Sequence, residues 1–438
     1  MPICILRQYP YWTLSFVSFL VNIPLGYVRE RHPKFSFPWL FWIHASIPLI
    51  IYLRVIMGTS MMFIPASIFL AVVGQLVGGR WRRRTMTVED LERLQQVPPI
   101  TPRNHQRMDA SRTTVVLLNM GGPRTNEDVR DFQRRLFSDP LLIRFPLSFI
   151  SQRIFAWLLA VLRTRKAQAR YRLIGGGSPI WESTRKQAEA LKGELKKRGR
   201  NVDVVFSFNY SPPLPEETID EVRATRREHL LCLSLYPHRS MATTGSSIHH
   251  LKKAAGRMAP SLQFHEGAGY HLHDGYIQAF VDRIHEQIRP GESLDDFYLI
   301  FSAHSLPLYL LTEGDLYPFQ ISQAAAKILT RLGRSTGWVI CYQSAVGPIR
   351  WLKPSLQDTI QALSRRGFRK VLVIPVSFVT DHIETLWEID IECRRFAGDC
   401  GIEDFRMSKA IECHPAFIQA LADSVEEMLS ARSVDTKS

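Results

Sequence analysis

The sequence predicts an α/β protein with parallel sheets covered on both faces, preceded by transmembrane helices. Three observations carry this. Six apolar runs punctuate the chain after residue 112: TTVVLLNM (113–120), VDVVFSFNY (202–210), LLCLSLYP (230–237), FYLIFSA (297–303), GWVICY (337–342) and VLVIPVSF (371–378). They are continuous rather than alternating, as strands buried on both faces require. Helical stretches such as STRKQAEALKGELKKRG (183–199) and ISQAAAKILTRLG (321–333) separate them. Third, the first 80 residues hold three long stretches almost free of charge.

Those stretches are 11–28, 35–53 and 55–79. Each is long enough to cross about 30 Å of hydrocarbon at about 1.5 Å per residue. A signal peptide has one short apolar stretch, so three in a row point to a membrane region over 1–84. Asn22 and Pro24 make the first the weakest of the three. Basic residues in RERHPK (29–34) and RWRRR (80–84) place those ends inside by the positive-inside rule. The expected location is a multi-pass inner (cytoplasmic) membrane protein with its large domain in the cytoplasm. Residues 85–112 read as a short amphipathic helix and a polar linker.

Composition agrees. Of the net charge of +14, an outsized share lies early, with 12 Lys/Arg against 5 Asp/Glu in the first 110 residues. Beside apolar spans this excess belongs to a membrane surface, and no nucleic-acid partner is expected. Six scattered cysteines without a CxxC pair exclude a disulfide scaffold and a zinc ribbon. The region from 113 onward is large enough for two sheets, and no strong internal repeat is visible in it.

In parallel sheets chemistry collects at the carboxyl ends of strands. The exits hold GGP (121–123), HRSMATTGSS (238–247), HSLP (304–307), QSAVGP (343–348) and VTDHIETLWEIDIE (379–392). His304 and His382 end two different strands. Two imidazoles and a carboxylate at one sheet edge suit proton transfer near neutral pH or metal ligation. Glu384, Glu388 and Glu392 recur every four residues and share one helix face, where like charges repel. A solvated face is the plain alternative. A carboxylate row starting at a histidine also suits relay of a divalent cation. No His/Cys cluster has the spacing of a closed zinc site. GGP and GGGSP (175–179) lack the spacing of a phosphate loop, TTGSS is able to cradle an anion or cap a helix, and GxSxG is absent.

Taken together, LNMGGP (118–123), YRLIGGGSPI (171–180), LYPHRSMATTGSS (235–247), FSAHSLP (301–307), QSAVGPIRWL (343–352) and DHIETLWEIDIE (381–392) resemble ferrochelatase, which inserts Fe(II) into a porphyrin to make haem. The resemblance spans about 113–427. It implies two Rossmann-like domains, 113–270 and 271–430, with the porphyrin in the cleft between them and a tail at 431–438. By motif, His304 takes pyrrole protons or ligates iron. Glu384 and His382 lie on the metal side, and Glu388 and Glu392 continue the row. Met120 lies against the macrocycle. Arg163 and Lys166, upstream of Tyr171, meet propionates, Ser178 bonds one, and Trp351 and Phe378 line the pocket. No cofactor is required, Fe(II) is a substrate, and a [2Fe–2S] cluster is not expected because its cysteine pattern is missing. Asn209 and Ala345 depart from the family, which often has basic residues there. Three rival readings stand beside this one: a chelatase for cobalt or nickel, a membrane-anchored porphyrin or haem carrier without turnover, and an N-terminal scaffold for other haem-pathway enzymes.

Overall fold

A computed structural model describes residues 10–29, 37–59, 64–84, 108–142, 148–346 and 349–430. The chain divides into two compact units, 1–99 and 100–438.

The first unit is helical: α1 (Pro10–Arg29), α2 (Phe37–His44), α3 (Ile47–Met57) and α4 (Ile64–Arg84). By length and hydropathy one helix, Tyr11–Arg29, is able to cross a membrane; Phe41–Ile56 and Ile64–Gly79 are shorter apolar helices. Of the two to three transmembrane helices expected from the sequence, one meets the length and hydropathy of a full span as a single unbroken helix among the described residues. The stretch that looked weakest passes, because Pro24 is absorbed inside a continuous helix. The second is interrupted at Ala45–Ser46, where Pro48 near the start of α3 provides no amide to continue the helical ladder. The basic loop after Arg29 and most of the 85–112 segment lie outside the described residues.

The second unit carries two four-stranded parallel sheets. Strands β1 (Thr113–Asn119), β2 (Asp203–Phe208), β3 (His229–Ser234) and β4 (Gln263–Glu266) form one, in the order β2-β1-β3-β4. Strands β5 (Tyr298–His304), β6 (Trp338–Gln343), β7 (Lys370–Pro375) and β8 (Asp404–Met407) form the other, in the order β6-β5-β7-β8. The six apolar runs became six strands within a few residues. The two missed strands are the short edges QFHE and DFRM, too polar and brief to announce themselves. β1 is buried at all seven positions, as a central parallel strand with helices on both faces must be. One apolar core runs through both sheets, from Val115 and Leu233 to Phe301 and Ile374. The C-terminal helix Pro415–Ser430 helps to close it and returns to the first half, where Arg198 binds Asp423 and Glu426.

Candidate active site

The second sheet places its functional groups at adjacent strand ends. β5 and β6 pair in parallel with His304 opposite Gln343, and β7 lies on the other side of β5. Beyond β7 the chain enters a π-helix, Ile383–Cys393. Sustained π-helices are rare and concentrate at functional sites. The carboxylates expected on one face of an α-helix are thus carried on a wider spiral. His304 Nδ1 lies 2.8 Å from Glu384 Oε2. Its amide is held by Ser377 Oγ at 3.0 Å. Glu388 is gripped at both oxygens by Ser344, whose amide donates at 2.7 Å and whose hydroxyl donates at 2.6 Å. Ser344 does this from a left-handed backbone (φ 64°), an uncommon conformation for a residue with a Cβ. Gln343 donates to the Glu384 carbonyl at 2.9 Å and accepts from Ser302. The QS pair at the β6 exit therefore holds both ends of the acidic turn, a role that sequence reading did not assign.

The electrostatics divide the carboxylates. Burial alone would raise the pKa of Glu384, yet the His304 imidazole, by charge and hydrogen bond, brings it down to about 2. His304 moves the other way. Burial disfavours its cation, but the charges of Glu384 and Glu388 outweigh that and raise it above 6.5. Glu388, buried beside the ionised Glu384, is pushed up to about 7 against the pull of Ser344. The turn thus offers a fixed anion, a base whose proton that anion stabilises, and a carboxyl that exchanges protons near neutrality. His382 is buried, its Nδ1 has no partner among the described residues, and its ring packs edge-on to Phe378 at 4.5 Å. Burial lowers its pKa, which keeps it a neutral donor–acceptor. Glu392 lies further along the π-helix, partly exposed. Among the described residues no three His, Cys, Asp or Glu side chains converge as a metal cage.

A narrow cavity links the two halves, lined by Met120, Tyr236 and Leu235 on one side and by Phe378, Ser377 and His382 on the other. Met120, Phe378 and His382 were singled out from sequence and meet here. Tyr171 is buried, and burial together with the Glu384 charge raises its pKa. Ser178 is half-buried, and its backbone closes a loop. Its amide donates to the Pro123 carbonyl at 2.7 Å, and a Cβ on Gly122 would lie 2.6 Å from its own Cβ. The two glycine-rich loops pack on each other. Arg163 stacks over Phe137 at 6.0 Å, Lys166 is exposed, and the buried Trp351 indole nitrogen has no partner among the described residues. Arg170, on the helix Ser148–Leu173, lies 3.8 Å over Trp387 and ties the first half to the π-helix. Sequence reading missed it, as it missed Asp139. The latter is buried and accepts from Tyr210 at 2.6 Å and Ser246 at 2.7 Å, with His250 at 3.2 Å. Asn209 joins this network through Ser246 at 3.3 Å, so the departure at 209 is accommodated by a neutral partner.

The catalytic unit is thus an α/β fold of two four-stranded parallel sheets with a histidine–carboxylate pair at the end of one of them. The ferrochelatase family model matches residues 112–429. The chain is 41% identical over 322 residues to a ferrochelatase of Synechococcus elongatus, covering 73% of this chain and 83% of that one. It is 40% identical over 323 residues to a ferrochelatase of Synechocystis sp., with the same coverage. The Bacillus subtilis SirB structure with Fe3+ superposes with a TM-score of 0.44 at 14% identity, over 73% of this chain and 96% of that one. The chain belongs to the ferrochelatase family.

Proposed function

We propose that this chain inserts Fe(II) into a porphyrin, protoporphyrin IX or coproporphyrin III, and releases two protons. The observation that carries this reading is the 2.8 Å His304–Glu384 pair at the end of β5. With Glu384 ionised, Nδ1 holds its hydrogen toward the carboxylate and Nε2 is left as a base. Each pyrrole proton taken by Nε2 creates an imidazolium that Glu384 stabilises. Glu388 then takes up and releases protons near neutral pH, which resets the base. His382 and Glu384 receive the metal as donors in transit, with Glu388 and Glu392 as its approach.

Met120, Tyr171, Trp351 and Phe378 form the apolar walls that a flat macrocycle needs, and Arg163, Lys166 and Ser178 meet its carboxylates. No cofactor enters this scheme, and a [2Fe–2S] cluster has no place in it. The N-terminal unit holds the chain at a membrane, in a bacterium the inner membrane with the catalytic unit in the cytoplasm, where porphyrin and haem partition. It leaves room for contact with other enzymes of the same pathway.

The test is anaerobic conversion of protoporphyrin IX, and in parallel coproporphyrin III, with Fe(II), followed by absorbance. Turnover that collapses in both His304→Ala and Glu384→Ala supports the assignment. Porphyrin binding without insertion of Fe(II), Co(II) or Ni(II) would overturn it in favour of a carrier.

A further inference from the structure

The N-terminal unit is built with its polarity reversed. Among its described residues, Leu14 is the one large apolar side chain that is fully buried; the other buried side chains are Ser18, Asn22, Ser46, Thr59, Ser67 and Gln75. Its outward faces carry Phe16, Leu20, Ile51, Tyr52, Phe69 and Val72, all exposed. A water-soluble bundle would show the opposite arrangement, since apolar burial drives its folding. The 18-residue window of α1 is only 22% buried, unlike the mostly buried core helix of a soluble protein.

The direction of packing adds topology. A Cβ on Gly74 would strike the Phe19 carbonyl, and one on Gly78 would strike that of Ile23. Tyr27 meets Trp81 edge-on at 5.5 Å. The contacts advance together along both helices, so α1 and α4 run parallel in backbone-close contact through a small-xxx-small seam. Two parallel helices joined in one chain need a return path. Residues 37–57 supply it: Arg29 lies over Trp39, and Ser46 Oγ donates to Asn22 Oδ1 at 3.0 Å, so this stretch runs antiparallel to α1.

The break in that return path is satisfied from inside. Gln75 Nε2 donates to the Trp42 carbonyl, which the interruption at Ala45–Ser46 releases, at 3.0 Å. The same amide donates to Asn22 Oδ1 at 3.0 Å, and Asn22 Nδ2 donates to the Ser18 carbonyl at 2.8 Å. Asn22, Ser46 and Gln75 each stand near the middle of their helical stretches. At mid-bilayer depth a broken helix is tolerated only where neighbouring groups re-satisfy its backbone.

Resting on the membrane attachment proposed above, we infer that α1, the α2–α3 pair and α4 cross the bilayer three times around an Asn22–Ser46–Gln75 polar hub, with lipid acyl chains as the partner of the outer faces. The ends of α1 and α4 then share one side of the membrane. Their basic sequences, RERHPK and RWRRR, fit the same side by charge.

The experiment uses the full chain in bacterial membranes, labelled with a membrane-impermeant maleimide in right-side-out and inverted vesicles. The reporters are native Cys4 and the variants Ser36→Cys, Ser60→Cys and Thr85→Cys. The expected result is that Cys4 and Ser60→Cys label from one side and Ser36→Cys and Thr85→Cys from the other. Oxidation should cross-link Tyr27→Cys with Trp81→Cys but not Trp12→Cys with Trp81→Cys. Labelling of the Ser36 and Ser60 variants from the same side would overturn the three-crossing topology while leaving membrane attachment standing. Extraction of the whole chain by alkaline carbonate would overturn the attachment and this inference with it. Cross-linking of the residue 12 pair in place of the residue 27 pair would overturn the parallel packing.

Discussion

The two halves of the catalytic unit share one blueprint and load it differently. In each sheet the first strand in chain order is central, flanked by the second and third, with the fourth outside the third. The correspondence extends past the sheets. The exit of β3 enters a π-type turn, Met241–Gly245, and the exit of β7 enters the π-helix Ile383–Cys393. In the first half that turn leads to Ser246, committed to the buried Asp139, which also binds Tyr210 and His250. In the second it presents Glu384 to His304 and Glu388 to Ser344. One half uses its carboxylate as a structural anchor with several donors on one oxygen. The other pairs an imidazole with an ionised carboxylate and leaves the Glu388 carboxyl poised near neutral pH. Topology is thus repeated while the chemistry is concentrated on one side.

That contrast breaks if the halves respond alike to mutation. The largest effect expected is on turnover. His304→Ala should lower the rate of metal insertion by about 10²–10⁴-fold, the usual yield of a general base, a loss far beyond what the lower melting temperature of a chain with an unpaired Glu384 explains. Anaerobic assay and calorimetry read the two together. Asp139→Ala should do the reverse. It strands the Tyr210 and Ser246 hydroxyls in a buried site and should cost roughly 3 kcal/mol in denaturant unfolding, leaving turnover of the folded fraction nearly intact. Loss of turnover from Asp139→Ala without loss of stability would erase the distinction.

A pH experiment sharpens it. Glu388 has its pKa raised from 4.5 to about 7. The native state therefore holds this proton more tightly than the unfolded chain, and stability falls as pH rises between these values. Glu388→Gln should melt several degrees above the parent at pH 8, with the difference shrinking towards pH 4. Asp139 has its pKa depressed by its donors, which overcome burial. Its contribution is present above the ordinary carboxylate range and is lost only as pH falls below it. The smallest effect is expected where the halves touch. Arg170→Leu removes a cation lying 3.8 Å over Trp387 and should cost about 1 kcal/mol by urea titration.

Much of this was legible in the chain itself. Continuous apolar runs marked six of the eight strands, because strands buried on both faces leave no polar positions. Strand exits marked His304, His382 and Glu384, because parallel topology gathers loops at one edge. The edge strands stayed hidden, since partial exposure leaves four-residue segments without a pattern. The repeat of strand order was equally invisible, because a fold constrains where apolar residues fall and not which ones they are.

Local burial pattern and residue type were enough to set the elements and the chemical groups at their ends. Only the tertiary structure decided the pairings: Ser344 with Glu388, Arg170 with Trp387, Asp139 with Tyr210 and Ser246, and Gln75 with Asn22 and the broken helix at Trp42. Those partners lie tens of residues to more than two hundred apart. No local propensity encodes such a meeting, because it depends on how whole helices and sheets are brought together to bury what each leaves unsatisfied.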